Sequence, residues 1–199
     1  MPGNRPPGRG DRLTVPRQVR IIHLEMLAPG ALRPPSRIPS EVLLLRATIP
    51  SPELGRFLYT AVGGDWYWRE RLSWTHSRWL AWLSRPEVET WVAYQSGTPA
   101  GYFELEAQPE GHVQITYFGL LPGFIGRGLG GYLLTQAIER AWQVKPGVRR
   151  VWVHTCTLDH QDALANYTAR GFEVFREEEH AVELPDEPPG PWPGAERPR

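Results

Sequence analysis

A glycine-rich segment is the first part of the sequence whose residue types could do chemistry. Residues 121–131 read LPGFIGRGLGG, with four glycines within 126–131. Repeated glycines let the backbone approach a ligand closely and can point successive N–H groups at one place. A helix that begins directly after them adds unpaired donors and a partial positive charge. The segment therefore indicates a phosphate or pyrophosphate site, with a tight turn that needs glycine only for steric reasons as the alternative.

Two familiar phosphate loops fit this segment poorly. The Walker A pattern fails because no Gly-Lys-Ser/Thr follows the glycines. The dinucleotide fingerprint Gly-x-Gly-x-x-Gly is matched formally by Gly126, Gly128 and Gly131. A dinucleotide-binding domain, however, needs this loop at its first strand, with several strand–helix units after it. Only about 70 residues follow here, and residues 148–155 lack the acidic residue that would bind a ribose. A nucleotide-binding regulatory domain is therefore disfavoured.

Apolar periodicity predicts the elements that must position this segment. Alternating apolar residues favour strands, and apolar residues at i, i+3, i+4 and i+7 favour helices. Strands are predicted over 19–26, 42–45, 88–94, 101–107, 113–121, 148–155, 172–175 and 181–184, and helices from Ser51, from Thr75 or Ser77, from Leu129 and from Asp159. The strand–helix–strand unit over 113–155 predicts a crossover between parallel strands. The three strands before it are typical of an antiparallel meander, so the expected fold class is α/β with a mixed sheet.

Length, charge and cysteine content bound the class of protein. The 199 residues fit one domain, and 22 Lys and Arg balance 22 Asp and Glu. A net charge of zero argues against a nucleic-acid partner. Cys156 is the only cysteine, which excludes an internal disulfide and a multi-cysteine metal site. No apolar run reaches the roughly 18–20 residues of a membrane span, and residues 1–18 lack the apolar core of a secretory signal. We therefore expect a cytoplasmic protein with no membrane partner.

The two ends of the chain differ from its middle in composition. Of the 21 prolines, 4 lie in residues 1–18 and 6 in residues 185–199. Such segments carry few residues that could join a hydrophobic core. The sequence predicts disordered tails over 1–18 and 185–199, the second rich in proline, around one domain over 19–184.

Residues 113–172 resemble the GNAT (Gcn5-related N-acetyltransferase) superfamily. The acetyl-CoA loop of that family reads Gln/Arg-x-x-Gly-x-Gly/Ala between a strand and a helix. Gly128 and Gly130 occupy its glycine positions, and Ile125 stands where the family usually has Gln or Arg.

A second motif of the same family lies downstream of the loop, in the family's order and separation. It reads Asn-x-x-Ala-x-x-x-Tyr-x-x-x-Gly-Phe on a helix that enters a strand. Ala163, Tyr167, Gly171 and Phe172 match it at the right spacing, and His160 replaces the Asn. The two motifs together are much more specific than either alone.

The resemblance implies a fold and an activity. The fold is a mixed, mostly antiparallel central sheet flanked by helices, with a parallel βαβ unit at the acetyl-CoA site. The activity is direct transfer of an acetyl group from acetyl-CoA to a primary amine in a ternary complex, without a metal. A non-catalytic module that binds or senses acyl-CoA is the alternative. The residues implied to bind acetyl-CoA are Leu120, Leu121, Gly126, Arg127, Gly128, Leu129, Gly130, Gly131 and His160.

The candidates for the proton transfers of this reaction come from one helix and two strands. Tyr167 matches the family's usual general acid for the leaving thiolate, and packing beside Phe172 is its alternative role. Glu104 and Glu106 share one face of the strand predicted over 101–107, where a carboxylate could relay a proton through water, and a solvated side chain is the alternative for each. His154, at the end of the strand after the cofactor helix, has a side chain that titrates near neutral pH.

The acceptor side of the site is less defined by the sequence. Five tryptophans lie in residues 65–83, and we expect most of these rings in the core and one or two in the acceptor pocket. Tyr117 is expected to face the same pocket. Cys156 lies two residues from His154, but direct transfer needs no acyl-cysteine, so we expect a packed or lining thiol. The identity of the acceptor amine and the formation of a homodimer stay open.

Overall fold

A seven-stranded sheet forms the centre of the computed structural model, which describes residues 14–36 and 39–195. The strands are β1 (Thr14–Met26), β2 (Val42–Arg46), β3 (Val88–Gln95), β4 (Thr98–Ala107), β5 (His112–Leu120), β6 (Arg150–Cys156) and β7 (Glu173–Pro185). The α-helices are α1 (Pro52–Gly63), α2 (His76–Leu83), α3 (Leu129–Gln143) and α4 (Ala163–Ala169). The strand order across the sheet is β2-β3-β4-β5-β6-β1-β7.

The sheet is antiparallel except between β5 and β6, which α3 connects. This confirms the predicted fold class, a mixed and mostly antiparallel sheet flanked by helices with one parallel βαβ unit. The parallel pair is short, because it runs only from His112 opposite Arg150 to Gln114 opposite Trp152. Beyond those residues β5 and β6 separate, and the site described below lies in the opening.

Helices cover both faces of the sheet, because side chains alternate along each strand. Phe103 of β4 points into the core that contains Leu133 and Ala137 of α3. Tyr102, its neighbour, points to the opposite face and packs with Leu58 of α1. Two predicted start signals are confirmed: the Ser51 hydroxyl accepts from the Leu54 N–H, and the Thr75 hydroxyl accepts from the Arg78 N–H, both at 3.2 Å. The start predicted at Asp159 is wrong, because α4 begins at Ala163 with Asp162 as its N-cap.

Two predictions about the ends of the domain are wrong. Residues 14–18 belong to β1 and pair with 181–185, so the strand begins five residues before the predicted domain start. The predicted hairpin of 172–175 and 181–184 is one continuous strand, β7, paired along its length with β1. The residues between the two predicted arms, REEEH at 176–180, contain no turn-forming residue. They are polar because β7 is an exposed edge strand. The predicted tail over residues 1–13 lies outside the described residues.

The segment after β7 also makes contacts with the domain. The Tyr67 hydroxyl donates to the carbonyl oxygens of Pro185 and Asp186, and the Gly190 N–H donates to the carbonyl of Gly64 at 3.0 Å. At least this part of the predicted C-terminal tail is therefore attached to the residues that follow α1.

Candidate active site

A cavity of about 870 Å³ opens where β5 and β6 separate. A bulge in β5 accompanies the separation: Tyr117 lies opposite Glu104 and Ile115 opposite Leu105, which leaves Thr116 as the extra residue. Bulges bend the strand that contains them and increase its twist. The Thr116 hydroxyl stabilises the bulge by donating to the Glu104 carboxylate at 2.9 Å. The cavity is lined from both faces of the sheet, by Tyr167 of α4 on one face and by Val62 of α1 on the other.

The glycine-rich segment connects β5 to α3 at the edge of this cavity. Gly126 and Gly128 have φ angles of +79° and +82°, a conformation that favours glycine. Open space surrounds both, since a Cβ built on either would meet nothing within 4 Å. Gly128 is the N-cap of α3 and provides no side-chain hydrogen bond, so the first N–H groups of the helix lack a side-chain cap. This arrangement leaves backbone donors available for an anion.

The predicted cofactor residues divide into three groups. Leu120, Gly126, Gly130 and His160 line the cavity. Arg127 and Gly128 are exposed on the loop beside it. Leu121, Leu129 and Gly131 pack against other parts of the protein: Leu121 joins the cluster under α1, Leu129 is 1% exposed, and a Cβ at Gly131 would collide with the Arg170 guanidinium.

Tyr167 lies on the cavity wall as a buried side chain. It is 6% exposed, and its ring contacts Phe118 and Phe172 with centroid distances of 6.0 Å each. Burial, with a smaller contribution from the Asp159 carboxylate, raises the pKa of Tyr167 above its usual range. The hydroxyl is therefore protonated at neutral pH. Tyr167 thus lines the cavity and also packs against Phe172.

Glu104 occupies a different place from the one predicted. It is 3% exposed and does not line the cavity. Its carboxylate accepts two hydrogen bonds from the Arg71 guanidinium, at 3.0 and 2.8 Å, and further ones from Trp82 and Thr116. With these four donors it holds Arg71 rather than facing an acceptor, so its prediction as a proton relay is corrected. Glu106 likewise binds Arg85 at 2.7 Å, away from the cavity.

His154 and Cys156 both line the cavity on the same side of β6, as their spacing predicts. Desolvation and the nearby His23 lower the pKa of His154, so its imidazole is neutral at pH 7 and can accept a proton. Burial and the Asp159 carboxylate raise the pKa of Cys156 to about 11. A thiol of that pKa is a poor nucleophile at neutral pH.

The tryptophan-rich block serves two purposes in the structure. The Arg71 guanidinium lies over the rings of Trp74, Trp79, Trp82 and Tyr117, at 4.4 to 5.5 Å from their centroids. Three of the tryptophans therefore surround a buried arginine. Trp66 and Trp68 line the cavity instead, and so does Tyr117.

Several lining residues are absent from the sequence-based prediction. Glu70 follows α1 and accepts a hydrogen bond from the Tyr59 hydroxyl at 2.9 Å. Asp159 accepts from the Thr155 hydroxyl at 2.7 Å. Nothing in the local pattern around Glu70 distinguishes it from a solvated residue. Asp159, in contrast, lies three residues after the end of β6, the strand that completes the crossover, and the loops after strands are places where polar site residues gather.

The chain is similar to known proteins in sequence and in fold. Residues 56–172, more than half of the chain, match the model of the acetyltransferase (GNAT) family. A search of curated proteins finds no match.

Two further kinds of feature were sought in the described residues. None of their helices combines the length and the apolar character that a membrane span requires. No group of three or more His, Cys, Asp and Glu side chains is placed to hold a metal within residues 14–36 and 39–195.

Three solved structures illustrate the likeness in fold. A GCN5-related N-acetyltransferase from Kribbella flavida has a TM-score of 0.57 at 21% identity. The match covers 86% of this chain and 58% of the Kribbella protein. A GCN5-related N-acetyltransferase from Sphaerobacter thermophilus has a TM-score of 0.57 at 19% identity, and the match covers 89% of this chain and 56% of the Sphaerobacter protein. An acetyltransferase of the GNAT family from Novosphingobium aromaticivorans has a TM-score of 0.53 at 16% identity, and the match covers 91% of this chain and 69% of the Novosphingobium protein. The chain thus spans little more than half the length of the first two.

Proposed function

Because this chain belongs to the acetyltransferase (GNAT) family, we propose that it transfers an acetyl group from acetyl-CoA directly to a primary amine in a ternary complex. One observation carries the proposal. The cavity between β5 and β6 is lined from both faces of the sheet, so two substrates can enter from opposite sides and meet inside. We assign the side of the cavity with the glycine-rich segment and Tyr167 to acetyl-CoA and call it the donor side. The other side, which is lined by aromatic rings, is assigned to the amine and is called the acceptor side.

The donor side offers backbone groups for acetyl-CoA. The N–H groups of residues 126–131 would hold the pyrophosphate, since Gly126 and Gly128 leave open space and α3 begins there. Beyond Gln114, the edge of β5 that faces β6 has no ladder partner in the described part of the chain. Its free N–H and C=O groups would pair with the amides of the pantetheine arm.

The transfer requires three changes of bonding, and the lining residues can support each of them. The neutral amine nitrogen attacks the thioester carbon and forms the new C–N bond. Collapse of the tetrahedral intermediate breaks the C–S bond, and the leaving thiolate takes the proton of the Tyr167 hydroxyl. The amine loses its proton to the neutral His154 imidazole, directly or through water. The proton taken by His154 then returns through solvent to Tyr167.

Removing the Tyr167 hydroxyl tests this proposal. Tyr167→Phe keeps the ring and its packing, so we expect kcat to fall by roughly 10²–10⁴-fold, the range for a positioned acid. The affinity for CoA should stay unchanged. The assay detects free CoA thiol with a library of amines.

Tyr132→Phe is the matched control, because Tyr132 lies on α3 and does not line the cavity. Turnover at the parent rate in Tyr167→Phe would remove Tyr167 from the mechanism. Failure of every amine to release CoA thiol from the parent protein would contradict the proposed activity itself.

A second function is favoured by one residue. Ile125 lines the cavity at the loop position where family members usually carry Gln or Arg. An altered loop is consistent with a module that binds or senses acyl-CoA without turnover. Calorimetric binding of acetyl-CoA, without thiol release for any amine in the library, would favour this alternative.

A further inference from the structure

We infer that the acceptor is a small primary amine with an apolar body of about the size of an aromatic ring. Its ammonium group binds to Glu70 and releases one proton to solvent, which leaves the neutral nitrogen that attacks the thioester. The inference rests on the proposed function and specifies the occupant of the acceptor side of the cavity. Three features of that side support it: the nature of its walls, the position of one carboxylate, and its enclosure by both ends of the domain.

The walls of the acceptor side are apolar and rigid. Trp68 packs against Tyr117 and Tyr59, with centroid distances of 4.8 and 5.5 Å. Gly63 makes room for the Trp68 ring, because a Cβ at position 63 would overlap it. Val62 completes this wall from α1. Aromatic faces held in place in this way favour an apolar body and also attract a cation.

Glu70 is the carboxylate that this wall presents to a ligand. Its Oε2 accepts hydrogen bonds from the Tyr59 hydroxyl at 2.9 Å and from the Arg69 N–H at 3.2 Å. The Glu70 side chain is exposed and lines the cavity, and its Oε1 accepts no hydrogen bond from the residues that the structure describes. Tyr59 is itself buried, at 1% exposed. One oxygen is thus anchored and the other is available, an arrangement that suits a charge-assisted bond to an ammonium group.

The ends of the domain limit the size of the occupant. Val19 and Ile21 of β1 and Leu184 of β7 also line the cavity. The Tyr67 hydroxyl binds the carbonyl oxygens of Pro185 and Asp186, which joins this boundary to the segment after α1. A cavity of about 870 Å³ that also admits the thioester arm of acetyl-CoA suits a small molecule rather than the surface of a folded protein.

Matched acceptors test the class of substrate. With saturating acetyl-CoA, we expect kcat/KM for 2-phenylethylamine to exceed that for ethanolamine by roughly 10- to 100-fold, the gain from burying an aromatic ring. Putrescine and a lysine-containing peptide should also be poor acceptors. A preference for ethanolamine, putrescine or the peptide would overturn the inference and leave the proposed transferase activity in place. No thiol release with any amine would overturn both.

A charge-neutral substitution tests the role of Glu70. Glu70→Gln should raise KM for 2-phenylethylamine by roughly 2- to 5-fold, because a charge-assisted bond is lost at an exposed side chain, where water weakens it. Glu70→Asp should restore part of the loss. The dissociation constant of CoA and the melting temperature should stay close to those of the parent protein. Glu173→Gln, an exposed residue of β7 outside the cavity, is the control. An unchanged KM in Glu70→Gln, or equal losses of amine and CoA binding, would overturn the assignment.

Discussion

The buried pair of Arg71 and Glu104 should be the most sensitive electrostatic contact of the domain. The two residues are 5% and 3% exposed, and two hydrogen bonds of 3.0 and 2.8 Å join them. Arg71→Met removes the cation and keeps much of the side-chain volume. The Glu104 carboxylate is then left buried with only the Trp82 and Thr116 donors.

The size of the effect follows from this burial. Removing one partner of a buried ion pair destabilises a protein by about 3–5 kcal/mol, because the remaining charge loses its compensation. That is a large part of the about 5–15 kcal/mol by which a typical domain is stable. Arg71→Met also loses the contacts of the guanidinium with the surrounding rings, so the upper half of the range is expected.

Urea denaturation measures the loss. With an m-value of about 2 kcal/mol/M, a loss of about 4 kcal/mol lowers the midpoint by about 2 M. The control is Arg20→Met, whose pair with Glu177 spans 3.6 Å with both side chains about half exposed. Its loss should be at most about 1 kcal/mol.

The double variant Arg71→Met/Glu104→Gln removes both charges and should recover at least half of the loss. A loss below about 1 kcal/mol in Arg71→Met, or no recovery in the double variant, would refute the reasoning.

Two further predictions concern the cavity. Gly128→Val should weaken CoA binding at least tenfold in calorimetric titration, since a β-branched residue cannot easily adopt a φ of +82° and the loop N–H groups move. Gly123→Val, in the same loop and also in open space but without a positive φ, should bind CoA normally, and equal losses in both variants would contradict this assignment. Because the pKa of Cys156 is raised to about 11, its alkylation rate should rise about tenfold per pH unit between pH 7 and 10. Cys156→Ser should retain acetyl transfer, and a labelling rate that levels off below pH 9 would show a thiolate of ordinary or lowered pKa.

The local elements around the donor site could be predicted from the sequence. The crossover from β5 through α3 to β6, the glycine-rich segment and the position of Tyr167 all depend on patterns within about 60 consecutive residues. Apolar periodicity and the backbone requirements of glycine act over a few residues, so they can be read without knowing what lies nearby in space. The family resemblance rests on these same residues, and the family model matches there.

The partners of charged residues were decided only by the tertiary structure. Glu104 looked like an available carboxylate on a strand, yet Arg71, 33 residues away in sequence, neutralises it. No local pattern singles out Glu70, yet the fold of the segment after α1 places its exposed side chain on the cavity. Whether a carboxylate is paired or available depends on distances between separate elements, which no local pattern encodes.

The strands at the two ends of the domain also could not be predicted from local sequence patterns. Residues 14–18 read as a tail and residues 176–180 as a turn, because both are polar. They belong to the edge strand β7 and its neighbour β1, which pair over long sequence separations, such as Ile21 with Glu178. In such a strand the ladder of backbone hydrogen bonds supplies the order, and the exposed side chains are free to be polar. That pairing also carries Val19, Ile21 and Leu184 to the acceptor side of the cavity, so the shape of the acceptor site became visible only once the chain was folded.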